Sequence, residues 1–200
     1  MLGGDLSVAT LLTAYRQGIF PWPLVDRGRE LLSWWSPDPR AIIELDRFHV
    51  PRRVQRRIRR GQFTVTFDED FESVVAACAS PRREGGETWI TAALSDAYGR
   101  LHREGFAHSV EIWHEARLVG GVYGVAVGGF YSGESMFHRE TDASKVALFH
   151  LVGRLRERGF ELFDVQQQSP HLERMGAREI PRREFLQRLK TALKAPVKFA

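Results

Sequence analysis

Apolar positions three and four apart alternate along this chain with stretches in which every second residue is apolar, and the two periods divide it into helices and strands. Val8, Leu11, Leu12 and Tyr15 share one helical face, with Ser7 placed to cap that helix and Gly18 to end it. Residues 63–68, FTVTFD, alternate as a strand. A helix carrying Phe71, Val74, Val75 and Cys78 follows, capped by Asp68 or Asp70, and after a Gly/Arg-rich loop another starts at Thr91 with Leu94, Tyr98 and Leu101 inward. Three strands come next, AHSVEIWH, RLVGGVYGVAV and GFYSGESMF. Gly128 and Gly129 between the last two are a two-residue hairpin signal. A helix of about four turns then buries Val146, Leu148, Leu151, Val152 and Leu155, capped by Asp142 or Ser144 and ended by Gly159. The strand FELFDVQ follows. A closing helix after Pro181 uses Phe185, Leu186, Leu189 and Leu193, and the tail APVKFA carries no signal.

Two stretches near the front, GIFPWP and LLSWWSPDPRAIIEL, place Trp22, Trp34 and Trp35 among prolines. Proline fixes the backbone and tryptophan brings a large contact area, so both read as rigid loops pinning a small N-terminal module, residues 1–62, onto a second domain, residues 63–200. In that second part the order strand, two helices, three antiparallel strands, helix, strand, helix is the order of an acetyltransferase-like (GNAT-type) α+β fold. Its central sheet is mostly antiparallel and flanked by helices. In that fold the loop after the third meander strand cradles a coenzyme A pyrophosphate. Here the loop is RETDAS, whose Glu140 and Asp142 would repel an anion and which has no glycine for close approach, so no cofactor is expected and the scaffold is reused for another acyl donor.

Charge and cysteine usage narrow the partners. The only cysteine, Cys78, lies in an apolar helical pattern, which rules out an intrachain disulfide and a thiolate zinc site and suits a reducing compartment. No apolar run approaches the roughly 18 residues of a membrane span, so a cytoplasmic protein without a membrane partner is expected. Through residue 62 the chain has 11 basic and 6 acidic groups, against 18 and 19 afterwards. Most of the excess sits in PRRVQRRIRR: Val54 and Ile58 make one apolar stripe, while Arg52, Arg53, Arg56, Arg57, Arg59 and Arg60 fan outward without a nearby acid. A solvated helix face is the plain alternative. Guanidinium forks suit phosphate oxygens, and a nucleic-acid backbone is the favoured partner.

Polar residues inside apolar strands mark the candidate chemistry. Asp164 and Gln166, two apart in FELFDVQ, point to one face. An aspartate accepting from the glutamine NH₂ would turn the amide oxygen toward a substrate amine, orienting it without removing a full proton. Glu134 in SGESMF is the third candidate, a carboxylate that needs a partner or a cationic ligand. Val122, Met136, Leu148, Leu151 and Phe163 are read either as ordinary core or as a candidate apolar pocket. GESMF lacks the third glycine of a nucleophile elbow, and GGVYGVAVGG does not match a dinucleotide fingerprint. No histidines, including His138 and His171, have metal-ligand spacing, so no metal is expected.

The blocks YRQGIFPWP, WWSPDPRAII, FHVPRR, TWIT, AYGRLHREGFAHSVEIW, LVGGVYGVAVG, GESMFHRETDASK, FELFDVQ and MGAREIPRREF, in this order over nearly the whole chain, resemble the bacterial leucyl/phenylalanyl-tRNA–protein transferases. The resemblance implies transfer of leucine or phenylalanine, with methionine as a further candidate, from charged tRNA to the N-terminal arginine or lysine of a protein, marking it for degradation through the N-end rule. It also implies catalytic roles for Asp164, Gln166 and Glu134 and an aminoacyl side-chain pocket at Val122, Met136, Leu148, Leu151 and Phe163. Independently of the resemblance, Trp22 and Trp89 are candidates for stacking on a substrate ring, with ordinary loop anchors as the alternative. A tRNA-binding surface would lie at Arg52, Arg53, Arg56, Arg57 and Arg60. A sibling aminoacyl-tRNA-dependent transferase with another acceptor, and a tRNA-binding module without catalysis, are the alternatives.

Overall fold

The computed structural model describes residues 2–26, 29–80 and 88–200. Its elements run α1 (Val8–Arg16), β1 (Phe20–Asp26), β2 (Arg29–Trp35), β3 (Arg40–Ile43), α2 (Arg52–Arg59), β4 (Thr64–Phe67), α3 (Phe71–Ala79) and α4 (Ala92–Arg103). Then come β5 (Ala107–His114), β6 (Arg117–Val127), β7 (Phe130–His138), α5 (Ala143–Glu157), β8 (Leu162–Gln166), α6 (Pro170–Glu173), β9 (Ala177–Ile180) and α7 (Arg182–Ala192). The helix starts follow the expected caps at three places, where Ser7, Asp70 and Thr91 accept from the N–H groups of Thr10, Ser73 and Leu94. Asp142 precedes α5 in a left-handed conformation, and its side chain makes no cap bond.

One seven-stranded sheet, in the order β4-β5-β6-β7-β8-β3-β9, forms the centre. Its pairs are antiparallel except β7 with β8, which the helix α5 connects as a crossover. Side chains of α1, α3, α4 and α7 form the core on one face, among them Leu11, Tyr15, Val74, Tyr98 and Phe185. The other face is covered by α5 and by Val54 of α2. This is the mostly antiparallel, helix-flanked α+β arrangement expected from the element order.

Four strands were not expected. β1 and β2, which the prolines suggest are loops, pair as an antiparallel ribbon from Phe20↔Trp35 onward. Pro21 and Pro23 lack N–H groups on the same edge of β1, and a two-stranded ribbon tolerates that because the edge faces no further strand. β3 and β9, only four residues each, lie within the large sheet: β3 pairs with β8 on one side and β9 on the other. The large sheet therefore takes a strand from before residue 62 as well as those after it. The Gly/Arg-rich loop expected near 81–87 lies outside the described residues. The tail is not featureless, since Phe199 is buried and stacks on His108 and Tyr131.

Glycines set the strand geometry next to the site. At Gly124 on β6 an added Cβ would lie 2.2 Å from the carbonyl oxygen of Ser132, so only glycine allows this approach. The register shifts there: Tyr123 pairs with Ser135 and Gly124 with Gly133, leaving Glu134 as the extra residue of a bulge on β7. Bulges re-aim side chains, and this one turns the carboxylate of Glu134 toward α4, where it meets Tyr98.

Candidate active site

β7 and β8 are paired only from Phe130↔Leu162 to Ser132↔Asp164, although β7 continues to His138 and β8 to Gln166. Beyond Ser132 and Asp164 each strand keeps its other neighbour, β6 or β3, and the sheet splits. The polar residues singled out in the sequence, Asp164, Gln166 and Glu134, are all buried at this split.

Their connections differ from the expected ones. The carboxylate of Asp164 does not hold the side-chain amide of Gln166. It is gripped by Arg40, whose Nε donates to Oδ1 at 2.8 Å and whose Nη2 donates to Oδ2 at 2.6 Å. Oδ1 also accepts the backbone N–H of Gln166 at 2.9 Å, which pins that residue in a left-handed conformation, φ 64°. The amide Nε2 of Gln166 instead reaches across the split to Oε1 of Glu134 at 3.1 Å, with Ser132 Oγ at 3.4 Å. A fully charged partner displaces a neutral one here, since charge-assisted bidentate bonds are the stronger. The aspartate thus acts on the backbone of Gln166, and the glutamate on its amide.

Arg40 itself is almost wholly buried. Its third contact is the carbonyl of Gly18 at 3.1 Å, and its guanidinium lies over the rings of Phe20 and Phe185, 4.9 and 4.5 Å from their centroids. Residues from β1, β3 and α7 are gathered on one ion pair. Glu134 is held on its far side: Tyr98 donates to Oε2 at 2.8 Å, Ser132 to Oε1 at 3.0 Å, and the hydroxyl of Tyr15 lies 3.1 Å from that of Tyr98. Burial pushes the Glu134 carboxyl up to about 7, against the lowering effect of the hydrogen bonds from Tyr98, Tyr15 and Ser132; Asp164 nearby raises it further. Burial also raises both tyrosine hydroxyls well above their ordinary value.

Sequence reasoning missed Arg40, Ser132, Tyr15 and Tyr98. Arg40 was legible in principle, as a charge entering the apolar run AII, by the same reasoning that singled out Asp164. The two tyrosines were placed on core faces, but a buried phenol requires a partner, and here each finds one.

The expected pocket residues Val122, Leu148, Leu151 and Phe163 are buried together, with Met136 half-buried beside them. They pack beneath α5, on the opposite face of the sheet from the carboxylate and amide cluster, because Phe163 and Asp164 are neighbours on one strand. Met136, cross-strand from Val122, stands on β7 beyond the point where the sheet splits. Trp22 and Trp89 stack on each other, centroids 4.9 Å apart at 14°.

The arginines of α2 do not all fan outward. Arg53 bonds Oδ1 of Asp142 at 2.7 Å, Arg57 donates to the Thr141 carbonyl and lies 3.8 Å from Oδ2 of Asp142, and Lys145 adds a third cation on the same buried carboxylate. The compensating acid comes from 89 positions away in sequence. Arg52, Arg56 and Arg60 are exposed. Arg53, Arg56, Arg57 and Arg60, with Gln62, line a surface depression of about 380 Å³.

A helix-flanked sheet split between one parallel strand pair, with a buried carboxylate and amide at the fork, gives the chain a fold of the acetyltransferase-like class. The solved structure of FemX superposes with a TM-score of 0.52 at 10% identity, over 87% of this chain and 66% of that one. A GCN5-related glucosamine N-acetyltransferase region of a fungal GH3 beta-N-acetylglucosaminidase gives 0.50 at 11% identity, over 72% of this chain and 20% of that one. At such identity the likeness is one of fold. Sequence comparison is more specific: the chain belongs to the leucyl/phenylalanyl-tRNA protein transferase family, whose N-terminal domain model matches residues 4–38 and whose main model matches residues 42–190. The leucyl/phenylalanyl-tRNA–protein transferase of Stutzerimonas stutzeri is 52% identical over 97% of this chain and 84% of its own length. That of Syntrophotalea carbinolica is 53% identical over 96% and 82%. Among the described residues no helix is long and apolar enough to cross a membrane.

Proposed function

We propose that this protein transfers leucine or phenylalanine, and methionine less selectively, from aminoacyl-tRNA to the α-amino group of proteins beginning with arginine or lysine, marking them for degradation. The observation that carries the reading is the Asp164–Gln166–Glu134 cluster at the split between β7 and β8, in a chain about half identical to named transferases over nearly its whole length.

The ester of an aminoacyl-tRNA is already activated, so the protein has to align an amine with a carbonyl carbon and accommodate the oxyanion; no covalent enzyme intermediate is required. The NH₂ of Gln166 is committed to Glu134 and Ser132, which turns its amide oxygen away from them and toward an incoming amine. An α-amine with an ordinary pKa of about 7.7–8.0 is partly neutral near pH 7. Glu134 gives the positively charged acceptor terminus a carboxylate to approach. The travelling side chain is assigned to the cluster of Val122, Met136, Leu148, Leu151 and Phe163, on the other face of the sheet. A methylene there is worth only about 1–3 kcal/mol, so selection is by volume and imperfect.

Trp22 and Trp89, which stack on each other, are assigned to a substrate ring, and Arg52, Arg53, Arg56, Arg57 and Arg60 to tRNA phosphates. Labelled Leu-tRNA offered with peptides beginning with Arg, Lys, Asp or Ala tests the reading. Label confined to the Arg and Lys peptides is expected. Label on the Asp peptide would instead mark a sibling transferase, and binding without transfer a tRNA-binding module.

A further inference from the structure

The two tyrosines behind Glu134 belong to the core of that sheet face, and their hydroxyls also form a line leading from α1 through α4 to a buried carboxylate. Tyr15 Oη lies 3.1 Å from Tyr98 Oη, and Tyr98 Oη lies 2.8 Å from Oε2 of Glu134. Both phenols are fully buried. Tyr98 fixes one carboxylate oxygen, which leaves Oε1 on the side of Gln166, the residue that presents the amine.

We propose that Glu134 receives the proton released by the attacking amine, and that Tyr98, with Tyr15 behind it, is the positioning residue that holds the Glu134 carboxylate charged and aimed for that transfer. The inference rests on the functional reading above and deepens it. In the reaction a C–N bond forms between the acceptor amine and the ester carbonyl, and the C–O bond to the terminal ribose breaks. One proton leaves the nitrogen for Oε1 of Glu134 and is returned to the departing ribose oxygen, so the glutamate ends as it began. Gln166, a neutral amide, cannot take that proton. Asp164 is committed to the guanidinium of Arg40 through both its oxygens, whereas the donors to Glu134, which are Tyr98, Ser132 and the Gln166 amide, are all neutral.

The groups facing Glu134 agree with this role. Tyr98 on α4, Tyr15 on α1 and Ser132 on β7 donate toward it. Asp164 on β8 opposes its charge, with Arg40 on the far side of that aspartate, and Tyr123 on β6 and Tyr131 on β7 lie within electrostatic range. Hydrogen bonds to the ionised form favour it, and burial disfavours it. The balance leaves the carboxyl near 7, where it can both accept and return a proton.

The test is the pH dependence of kcat/KM for transfer from Phe-tRNA to one peptide beginning with arginine, compared between wild type, Tyr98→Phe, Tyr15→Phe and Glu134→Gln. The amine's own titration is common to all four and cancels in the comparison. Tyr98→Phe removes a donor to the carboxylate, so the lower apparent pKa is expected to move up by about one unit. Tyr15→Phe, one link further away, is expected to move it less and in the same direction. Glu134→Gln is expected to lose that limb altogether, and adding Tyr98→Phe to it should change nothing more. A profile of Tyr98→Phe or Tyr15→Phe that coincides with wild type overturns the assignment while transfer itself stands. Absence of transfer by the wild type at every pH would remove the functional reading and this inference together. Should Tyr98→Phe fail to fold, Tyr15→Phe decides alone.

Discussion

Arg40 and Asp164, 124 positions apart in sequence, form a two-point ion pair in which neither side chain is more than 1% exposed. The pair joins β3 to β8, and through Gly18, Phe20 and Phe185 it also ties in the first strand and the last helix. One consequence is that the backbone of Gln166 is set by residues from three distant parts of the chain.

Arg40→Met leaves a carboxylate buried without its cation, and folding stability is expected to fall by about 3–5 kcal/mol. Arg40→Lys keeps the charge but loses the fork, so it should fold better than Arg40→Met while transfer drops by about 100-fold through misplacement of Gln166. Urea denaturation and turnover of the two variants check both parts. An Arg40→Met protein as stable as the wild type would show that the pair does not hold the fold.

Gln166→Ala removes the bridge to Glu134 and the oxygen proposed to seat the amine. Turnover is expected to fall by about 100-fold with tRNA affinity unchanged, since the basic helix α2 is untouched. Filter binding alongside single-turnover transfer separates the two quantities, and an equal loss in both would contradict the assigned role.

The raised carboxyl of Glu134 has a sign that stability measurements can read. With a folded value of about 7 against an ordinary 4.5, the native state binds more protons than the unfolded chain between those values. Stability is therefore expected to decrease as pH rises from 4.5 to 7 and to level off above, by about 3 kcal/mol from this group. Glu134→Gln should remove that component of the slope. Denaturation midpoints at pH 5, 6, 7 and 8 for both proteins provide the comparison, and parallel curves would count against burial of an ionisable group here.

On α2 the arginines divide by partner. Arg56→Ala with Arg60→Ala is expected to weaken tRNA binding and to reduce the slope of log affinity against log salt by about one per lost phosphate contact, without loss of stability. Arg53→Ala with Arg57→Ala should in addition destabilise the fold, because both hold Asp142, whose side chain is fully buried. Titrations at several salt concentrations, paired with thermal melts, distinguish the two double variants. Identical melts would mean that Asp142 needs only Lys145.

Much of the architecture was legible because long, strongly periodic segments such as 143–157 and 107–127 bury one face and leave little choice of period. The short strands were not. β3 and β9 are four residues each, too short for alternation to register, and they become strands by pairing with β8 and with each other. β1 carries two prolines that argue against a strand until its free edge is known. Asp164, Gln166 and Glu134 stood out as polar residues in apolar strands, but their partners did not, because Arg40, Tyr15 and Tyr98 come from elements 30 or more residues away in the chain.

The sequence by itself determined where the longer helices lie, which meander strands pair through Gly128 and Gly129, and that three polar side chains in apolar strands would be buried, since each follows from local periodicity, turn chemistry and the cost of burying a polar group. Only the tertiary structure decided how those groups are joined. It gave Asp164 to an arginine instead of an amide, placed Glu134 in a bulge facing two phenols, and set the apolar cluster on the opposite side of the sheet. These are matters of strand order and register, and contacts between segments distant along the chain leave no mark in local sequence pattern.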